Sequence, residues 1–299
     1  MNRLYDSTPC YIPATSTTSR TVQISQQEYA AFRTFLEEAC GIMLGDNKHY
    51  LVTSRLSRVM RDFGITDLGE LMGRMRAQPG GKLRESVIDA MTTNETQWFR
   101  DGYPFEVLSR FILPEFAQKR PKQLRIWSAA SSSGQEAYSI SITLQEFLLT
   151  RPGALPPLLQ VIGTDISPSM LREANSASYD RMALDRGLAP ERMRWFTQKG
   201  DRWEVKPEIR GRVTFRELNL LQSYASLGKF EVVFCRNVLI YFSSAVKRNI
   251  LERIAQVLNP GGYLFLGGSE SPTSYTDAFE IVRTPQGVVY RVKPASAKS

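Results

Sequence analysis

Apolar residues near the start of the chain recur at the three- and four-residue spacing of amphipathic helices. The first such pattern is preceded by Ser25 as N-cap, with Glu28 three residues later, and is followed by the helix-stopping Gly41. Further patterns predict helices over Lys48–Phe63, Asp67–Gln78 and Lys82–Met91. Residues 23–92 are therefore predicted to form a small all-α domain.

Beyond residue 92 short apolar runs alternate with helical stretches. Strands are predicted over Leu124–Ala129, Leu159–Thr164, Val213–Leu218, Glu231–Cys235 and Gly262–Gly267, and helices over Gln135–Thr150, Pro168–Ser176 and Ser244–Leu258. Such alternation predicts an α/β fold with a parallel sheet covered on both faces. The lapse in alternation over about 188–217 predicts a small antiparallel β insert, and Phe279–Val292 predicts an edge hairpin. Residues 93–299 would form this second domain.

Composition places the chain among globular proteins. Hydrophobic residues make up 42% of its 299 residues and charged residues 23%. No apolar run reaches the roughly 20 residues that span a bilayer, and the first residues lack an apolar signal-peptide core. Residues 1–22 are rich in Ser, Thr and Pro, which predicts a disordered tail. We expect a cytoplasmic protein without direct membrane insertion.

Few residues suit histidine- or metal-based chemistry. The three cysteines, Cys10, Cys40 and Cys235, are far apart and show no Cys-x-x-Cys spacing. His49 is the only histidine, so most hydrolase triads and most zinc enzymes are excluded. We expect no metal.

The positive charge is concentrated in the second domain. Residues 1–92 carry 11 Lys and Arg against 10 Asp and Glu, a net +1 of the total +8, and residues 93–299 carry the remaining +7. A basic surface attracts nucleic acid, anionic lipid or an acidic protein segment, and charge alone does not choose among them.

Candidate chemistry lies where the predicted strands end. Small residues from Ser128 to Gly134 follow the first strand and could admit a ligand close to the backbone, or could form an ordinary flexible turn. This segment is neither a dinucleotide fingerprint nor a P-loop. Asp165 ends the second strand, where it could accept hydrogen bonds from ribose hydroxyls or cap the next helix, although Ser167 could supply that cap. Arg236 and Asn237 emerge from the fourth strand.

Five stretches together resemble the signature segments of the CheR-type chemotaxis receptor glutamate O-methyltransferases. They are 92–100 (TTNETQWFR), 127–140 (WSAASSSGQEAYSI), 163–166 (GTDI), 234–242 (FCRNVLIYF) and 258–264 (LNPGGYL). They occur in family order, and the resemblance extends from about residue 25 to residue 293. The chain departs from the family at Gln135-Glu136-Ala137, where Glu-Glu-Pro is usual, but the second glutamate is kept.

The resemblance implies a Rossmann-like sheet that binds S-adenosylmethionine and releases S-adenosylhomocysteine. Asn94, Thr96 and Arg100 would lie beside the methionine part of the cofactor and the transferred methyl group. Glu136 would meet the amino-acid end of the cofactor, and Asp165 would hold its ribose.

The same resemblance implies roles for residues after the later strands. Asn219 and Leu220 would border the adenine, and Arg236 and Asn237 would complete the pocket. Tyr241 would lie near the reacting methyl group and orient the incoming carboxylate, while Arg100 would hold that carboxylate. Since a glutamate carboxylate with a pKa near ~4.3 is already ionised at neutral pH, this reaction needs no general base.

The implied partner is the cytoplasmic helical region of membrane-bound chemoreceptors, to which the monomeric protein would be recruited. The receptor-docking residues would be Lys48, Arg55, Arg58 and Arg61 of the second helix, although such a stripe can also be a solvated helix face. Some family members bind a receptor tether peptide through a longer, glycine-rich loop than Lys199–Asp201. We therefore expect independence from the tether.

Two other function classes stay open on sequence grounds. The basic second domain would suit a nucleic-acid methyltransferase, but residues 235–238 lack the Asn/Asp-Pro-Pro-aromatic stretch of amino-nitrogen DNA methyltransferases. Cys235 lies inside an apolar run without a preceding proline, which favours a core cysteine over a nucleophile. A non-catalytic scaffold that keeps the fold is the second alternative.

Overall fold

The computed structural model describes residues 24–294, so the predicted disordered tail of residues 1–22 lies outside the described residues. The first domain contains the helices α1 (Gln26–Cys40), α2 (His49–Asp62), α3 (Leu68–Ala77) and α4 (Lys82–Met91). Helix α1 begins at a reciprocal capping box between Ser25 and Glu28 and ends at Gly41, which has a φ of 77°. Apolar faces of all four helices enclose one core, as the spacing predicts.

A helical segment that the sequence does not predict precedes the first strand of the second domain and packs in that domain's core. Helix α5 (Tyr103–Val107) continues through a π-helical turn, Leu108–Ile112, into α6 (Leu113–Lys119). Pro114 lacks the N–H that would close an α-helical hydrogen bond onto the preceding turn. The widened π turn directly before Pro114 accommodates that missing donor.

The second domain is built on a seven-stranded sheet. Its strands are β1 (Gln123–Ala129), β2 (Leu158–Asp165), β6 (Val213–Glu217), β7 (Phe230–Phe234), β8 (Leu258–Phe265), β9 (Phe279–Thr284) and β10 (Gly287–Val292), and they lie in the order β6-β2-β1-β7-β8-β10-β9. Strand β10 runs antiparallel to both of its neighbours, and the other observed pairings are parallel. The strand order reverses between β1 and β7, and open α/β sheets bind ligands at such a point.

Side chains alternate between two cores on opposite faces of the sheet. Along β7, Val232 and Phe234 belong to one core, while Val233 and the following Cys235 belong to the other. The helices that cover the sheet include α7 (Gln135–Thr150), α8 (Pro168–Ser176) and α11 (Ser244–Val257). Within residues 24–294 no helix is both long enough and apolar enough to cross a bilayer.

The small antiparallel sheet differs from the prediction at both ends. It consists of β3 (Ser178–Asp180), β4 (Phe196–Lys199) and β5 (Arg202–Val205) in the order β3-β5-β4, and it is accompanied by α9 (Arg181–Asp185) and α10 (Pro207–Arg210). Its first strand, β3, lies before the predicted range of 188–217. The sequence does not predict this strand, because three residues are too few to show an alternating pattern. Strand β6, inside that range, pairs with β2 in the main sheet.

Candidate active site

Five of the predicted cofactor-site residues line one cleft at the carboxyl ends of β1 and β7. They are Thr96, Arg100, Glu136, Arg236 and Asn237. The remaining wall is formed by Thr93, Glu95, Gln97, Ala130, Ser132 and Val238. The structure therefore brings together residues that are up to about 140 positions apart in the sequence, at the point where the strand order reverses.

The turn between β1 and α7 is formed by small residues in unusual backbone conformations. Ala130 and Ser132 have φ values of 56° and 49°, and Gly134 has 93°. A Cβ at Gly134 would lie 3.0 Å from both Ala174 Cβ and the Phe215 ring. The turn is thus ordered and packed against its neighbours. Its small side chains let a ligand approach the backbone at the end of β1 closely.

Arg236 joins the walls of the cleft through a buried ion-pair network. Its side chain is 1% exposed, and Nη1 donates to Glu136 at 2.9 Å. Its Nη2 donates to Asp101 at 2.6 Å and to the carbonyl of Arg100 at 2.8 Å. The second Glu136 oxygen accepts from the Ser128 hydroxyl at 2.8 Å. One guanidinium therefore fixes both the first turn of α7 and the turn that carries Arg100.

The turn at residues 99–102 needs that support because its backbone is strained. Phe99 and Asp101 have positive φ values of 48° and 66°, which cost non-glycine residues free energy. The turn is also held from the small β-sheet side, where the Trp98 N–H donates to the Arg186 carbonyl at 3.0 Å. A Cβ at Gly187 would lie only 2.2 Å from the Trp98 carbonyl oxygen, so this close approach requires glycine.

Asp165 ends β2 with both carboxylate oxygens held by backbone amides. Oδ2 accepts from Ser132 N–H at 2.8 Å, and Oδ1 accepts from Ser167 N–H at 2.9 Å. The Ser167 hydroxyl accepts from Met170 N–H and caps α8, so Asp165 does not serve as that cap. Burial raises the pKa of Asp165 above its ordinary value, the nearby Asp89 raises it further, and the backbone hydrogen bonds oppose the rise.

Glu270 is a site residue that sequence reasoning missed. Its carboxylate is buried and accepts from the backbone N–H of Asn237 at 2.8 Å, of Gly267 at 2.7 Å and of Ile240 at 3.3 Å. Asn237 has a φ of 57°, so Glu270 stabilises a strained segment that enters the cleft. A glutamate in a loop after β8 carries no local signal of this role, because its partners Asn237 and Ile240 lie in another loop.

Five of the predicted site residues lie outside the wall of this cleft, namely Asp165, described above, and Asn94, Asn219, Leu220 and Tyr241. The Asn219 side-chain amide donates to the Ala39 carbonyl at the end of α1, at 2.7 Å, and so ties the two domains together. Leu220 is buried in the core beneath α11. Tyr241 is partly buried, and its carbonyl accepts from Met43 N–H at 3.0 Å. Asn94 is nearer, since its carbonyl accepts from the Ser132 hydroxyl at 2.9 Å.

The predicted docking residues divide into two groups. Lys48, Arg58 and Arg61 are exposed on or beside α2. Arg55 departs from the prediction, because its partly buried guanidinium donates to backbone carbonyls of the same domain. Three-residue spacing drifts around an α-helix, so side chains at this spacing do not all share one face.

The two residue types that could suggest other chemistry have structural roles. Cys235 is fully buried in the sheet core, and burial raises the pKa of its thiol well above the ordinary value, so it is not placed as a nucleophile. His49 stacks on Tyr29 in the all-α domain at 3.8 Å between ring centroids. Within residues 24–294 no cluster of three His, Cys, Asp or Glu side chains could hold a metal ion.

The chemistry of the cleft fits a cofactor with nucleoside and amino-acid parts. Asn237 Oδ1 and Arg236 Nε are buried and have no hydrogen-bond partner within the described residues, so polar groups are available to a polar ligand. Asp165 ends β2 beside the cleft and is joined to its wall through Ser132, and Glu136 lies in the wall itself. The fold is that of an S-adenosylmethionine-dependent methyltransferase, and the cleft lies at the edge of the sheet where such folds bind their ligands.

Comparison with known proteins identifies the family within this class. Residues 94–288 match the family model "CheR methyltransferase, SAM binding domain", and residues 27–92 match "CheR methyltransferase, all-alpha domain". The chain belongs to the CheR methyltransferase family, as the signature stretches predicted.

Curated relatives match over nearly their whole length. The chain is 56% identical over 269 residues to "Chemotaxis protein methyltransferase Cher2" of Pseudomonas putida, covering 89% of this chain and 98% of the relative. It is 57% identical, with the same coverage, to "Chemotaxis protein methyltransferase 1" of Pseudomonas aeruginosa. It is 52% identical to the chemotaxis protein methyltransferase of Vibrio parahaemolyticus, covering 91% and 99%. The chain is thus a methyltransferase of chemotaxis that uses S-adenosylmethionine.

Proposed function

We propose that this protein methylates glutamate side chains on chemoreceptors, the methyl-accepting chemotaxis proteins, for sensory adaptation. The products would be glutamate methyl esters and S-adenosylhomocysteine. The observation that carries the proposal is the state of Arg100 in the cleft. Among residues 24–294 its guanidinium makes no ion pair and donates only to the Glu95 carbonyl, at 3.3 Å. A cation in this position is available to an incoming carboxylate.

The proposed reaction is an in-line displacement that the protein promotes by positioning. S-adenosylmethionine supplies a methyl group bonded to a positively charged sulfur. A glutamate oxygen forms the new bond to that methyl carbon, the carbon–sulfur bond breaks, and its electron pair stays on sulfur. A carboxylate with a pKa near ~4.3 needs no deprotonation at neutral pH. This agrees with a cleft that contains no histidine among its lining residues.

Arg100 would hold the glutamate carboxylate, and Tyr241 would orient it. The Arg236 network fixes the turn that carries Arg100, so the guanidinium is directed without being neutralised. Alignment of two reactants can remove several kcal/mol from a barrier, roughly 7–11 in the best model systems. Tyr241 follows the Asn237 segment that Glu270 holds, and in the proposed complex its side chain would close over the carboxylate.

Transfer from radiolabelled S-adenosylmethionine to receptor-containing membranes of the same host tests this function. We expect label on a receptor that mild alkali releases as methanol, which is the behaviour of a carboxyl methyl ester. Arg100→Ala is expected to lower kcat by about two orders of magnitude while the variant still binds receptor. Unchanged kcat in Arg100→Ala would contradict the role of Arg100. Alkali-stable label, or label on added nucleic acid, would contradict the proposed substrate.

The receptor would dock on the exposed basic residues Lys48, Arg58 and Arg61, which we call the α2 basic surface. Arg58 is 86% exposed and approaches Asp62 at 3.7 Å, a contact too weak and solvated to neutralise the surface. An acidic helical segment of the receptor's cytoplasmic region would complement this charge. In the sequence α2 is followed by α3 and α4, and the segment after α4 enters the cleft.

Independence from a receptor tether peptide is also proposed. The turn between β4 and β5 is only Gly200 and Asp201, with Gly200 at a φ of 62°, so it offers no extended loop to hold a peptide. Calorimetric titration with the receptor's C-terminal peptide is expected to show no binding at micromolar concentration. A dissociation constant in the micromolar range would contradict this part of the proposal.

A further inference from the structure

Arg55 of α2 is bonded to the end of α4 and to the residues that follow it. Its Nη1 donates to the Met91 carbonyl at 2.6 Å and to the Thr92 carbonyl at 3.2 Å. Its Nη2 donates to the Thr93 hydroxyl at 3.0 Å. Met91 is the last residue of α4, so a cation here satisfies carbonyls that the helix itself leaves without partners.

The segment that Arg55 holds leads directly into the cofactor cleft. Thr93 lines the cleft, although Arg55 does not. The next residue, Asn94, accepts through its carbonyl from the Ser132 hydroxyl at 2.9 Å, and Ser132 N–H donates to Asp165 at 2.8 Å. An unbroken series of hydrogen bonds and covalent bonds therefore runs from α2 to the carboxylate at the end of β2.

A second contact ties α4 to the same place independently of Arg55. The Asp89 carboxylate accepts from the Ser169 hydroxyl at 2.8 Å and from the Ser167 hydroxyl. Ser167 also donates its N–H to Asp165 at 2.9 Å. Because Asp89 attaches α4 to Ser167 and Ser169, next to Asp165, a change at the carboxyl end of α4 would displace residues 92–94 relative to a fixed point. Arg55 controls that end.

We propose that Arg55 is a positioning residue of the S-adenosylmethionine site and not a receptor-docking residue. It fixes residues 91–93 and thereby the placement of Asn94–Arg100 against the turn after β1. This role depends on the cofactor site and is independent of which protein is methylated. Since α2 also carries the exposed Arg58 and Arg61, receptor binding and cofactor binding would be coupled through Arg55, and such coupling is reciprocal.

The test is the affinity of the whole protein for S-adenosylhomocysteine, measured by calorimetry without receptor. Arg55→Met keeps the apolar stem and removes every donor, and we expect it to weaken binding about tenfold. The matched control is Arg74→Met, because Arg74 of α3 also donates to a backbone carbonyl of this domain, that of Phe63, at 3.1 Å. Arg74→Met should bind like the wild type. Arg55→Lys, which can donate to the same carbonyls, should restore part of the affinity.

Thermal unfolding of the same variants separates positioning from a general loss of stability. We expect Arg55→Met and Arg74→Met to lower Tm by similar amounts while only the former loses affinity. Equal affinity losses in both variants would overturn the proposal, because they would follow stability alone. Wild-type affinity in Arg55→Met, together with a higher KM for receptor, would also overturn it and return Arg55 to docking.

Discussion

Replacing Arg236 with methionine is expected to lower the free energy of unfolding by about 3 kcal/mol and to weaken S-adenosylmethionine binding about a hundredfold. The guanidinium is 1% exposed and is the shared partner of Glu136 and Asp101, at 2.9 and 2.6 Å. Glu136, only 13% exposed, would keep its charge in the cleft without a counterion. The strained turn would lose its bond to the Arg100 carbonyl at the same time.

Denaturant unfolding followed by circular dichroism measures the first effect, and calorimetry with cofactor measures the second. Arg216→Met is the matched control, since Arg216 lies exposed on the edge strand β6 and outside the cleft. Arg236→Lys should fall between wild type and Arg236→Met, because an ammonium cannot bond both carboxylates in the same planar geometry. A free energy of unfolding of Arg236→Met within about 0.5 kcal/mol of the wild type would contradict this account of the network.

Replacing Asp165 with asparagine is expected to weaken cofactor binding roughly ten- to a hundredfold. The affinity that remains should no longer change with pH in the acidic range. Burial raises the pKa of Asp165 in the folded protein above the ordinary ~3.9. In the proposed complex ribose hydroxyls would donate to the ionised carboxylate, so wild-type affinity should fall as pH is lowered through the raised pKa. An asparagine at this position does not titrate, and its profile should be flat there.

The free energy of unfolding of the protein without cofactor should change with pH in the opposite direction to the affinity. A folded-state pKa above the unfolded-state value means that Asp165 contributes stability below the unfolded pKa and loses it as pH rises through the folded pKa. Asp185→Asn is the control, because Asp185 is exposed and pairs only with Arg181 among the described ion pairs. Identical pH profiles for wild type and Asp165→Asn would exclude Asp165 as the titrating group.

Local signals in the sequence were sufficient for the seven helices of nine or more residues and for most strands, but not for the shorter helices α5, α6, α9 and α10. The capping box at Ser25 and Glu28 and the left-handed Gly41 involve residues within one helical turn, so they can be read without knowing the fold. Ser167 as the cap of α8 is a similar case, since it accepts from Met170 N–H within the first turn of that helix. The three-residue strand β3 could not be found, because alternation needs more positions than it has.

Contacts between distant residues could not be read from the sequence. Asp101 and Arg236 pair across 135 positions, and Glu270 reaches back 33 positions to the Asn237 amide. Nothing in the residues next to Asp101 or Glu270 indicates these partners, since both follow from the folded arrangement of loops. Arg55 makes another contact that the sequence did not reveal. Its spacing with Arg58 and Arg61 suggests a surface stripe, but its guanidinium bonds to backbone carbonyls of its own domain.

The cofactor-site residues were found through their resemblance to a family and not through spacing. Thr96 and Arg100 lie in a segment that would otherwise be read as a linker, yet they line the cleft with Glu136. Tyr241 and Asn219, named on the same grounds, lie outside the lining, where Asn219 bonds to the end of α1. The resemblance therefore predicts the site, and the structure places five of the predicted residues in one cleft wall and the others outside it.

Mass-spectrometric mapping of the methylated receptor is the measurement that tests the central claim most directly. Receptor membranes of the same host would be incubated with the protein and a limiting concentration of S-adenosylmethionine, digested and sequenced by fragmentation, with the weakly cofactor-binding Arg236→Met as the control. The account predicts methyl groups on glutamate side-chain carboxyls in the helical cytoplasmic region, present with wild type and strongly reduced with the control. Methyl groups on lysine or another residue type, or an unmodified receptor although the protein binds cofactor, would contradict it.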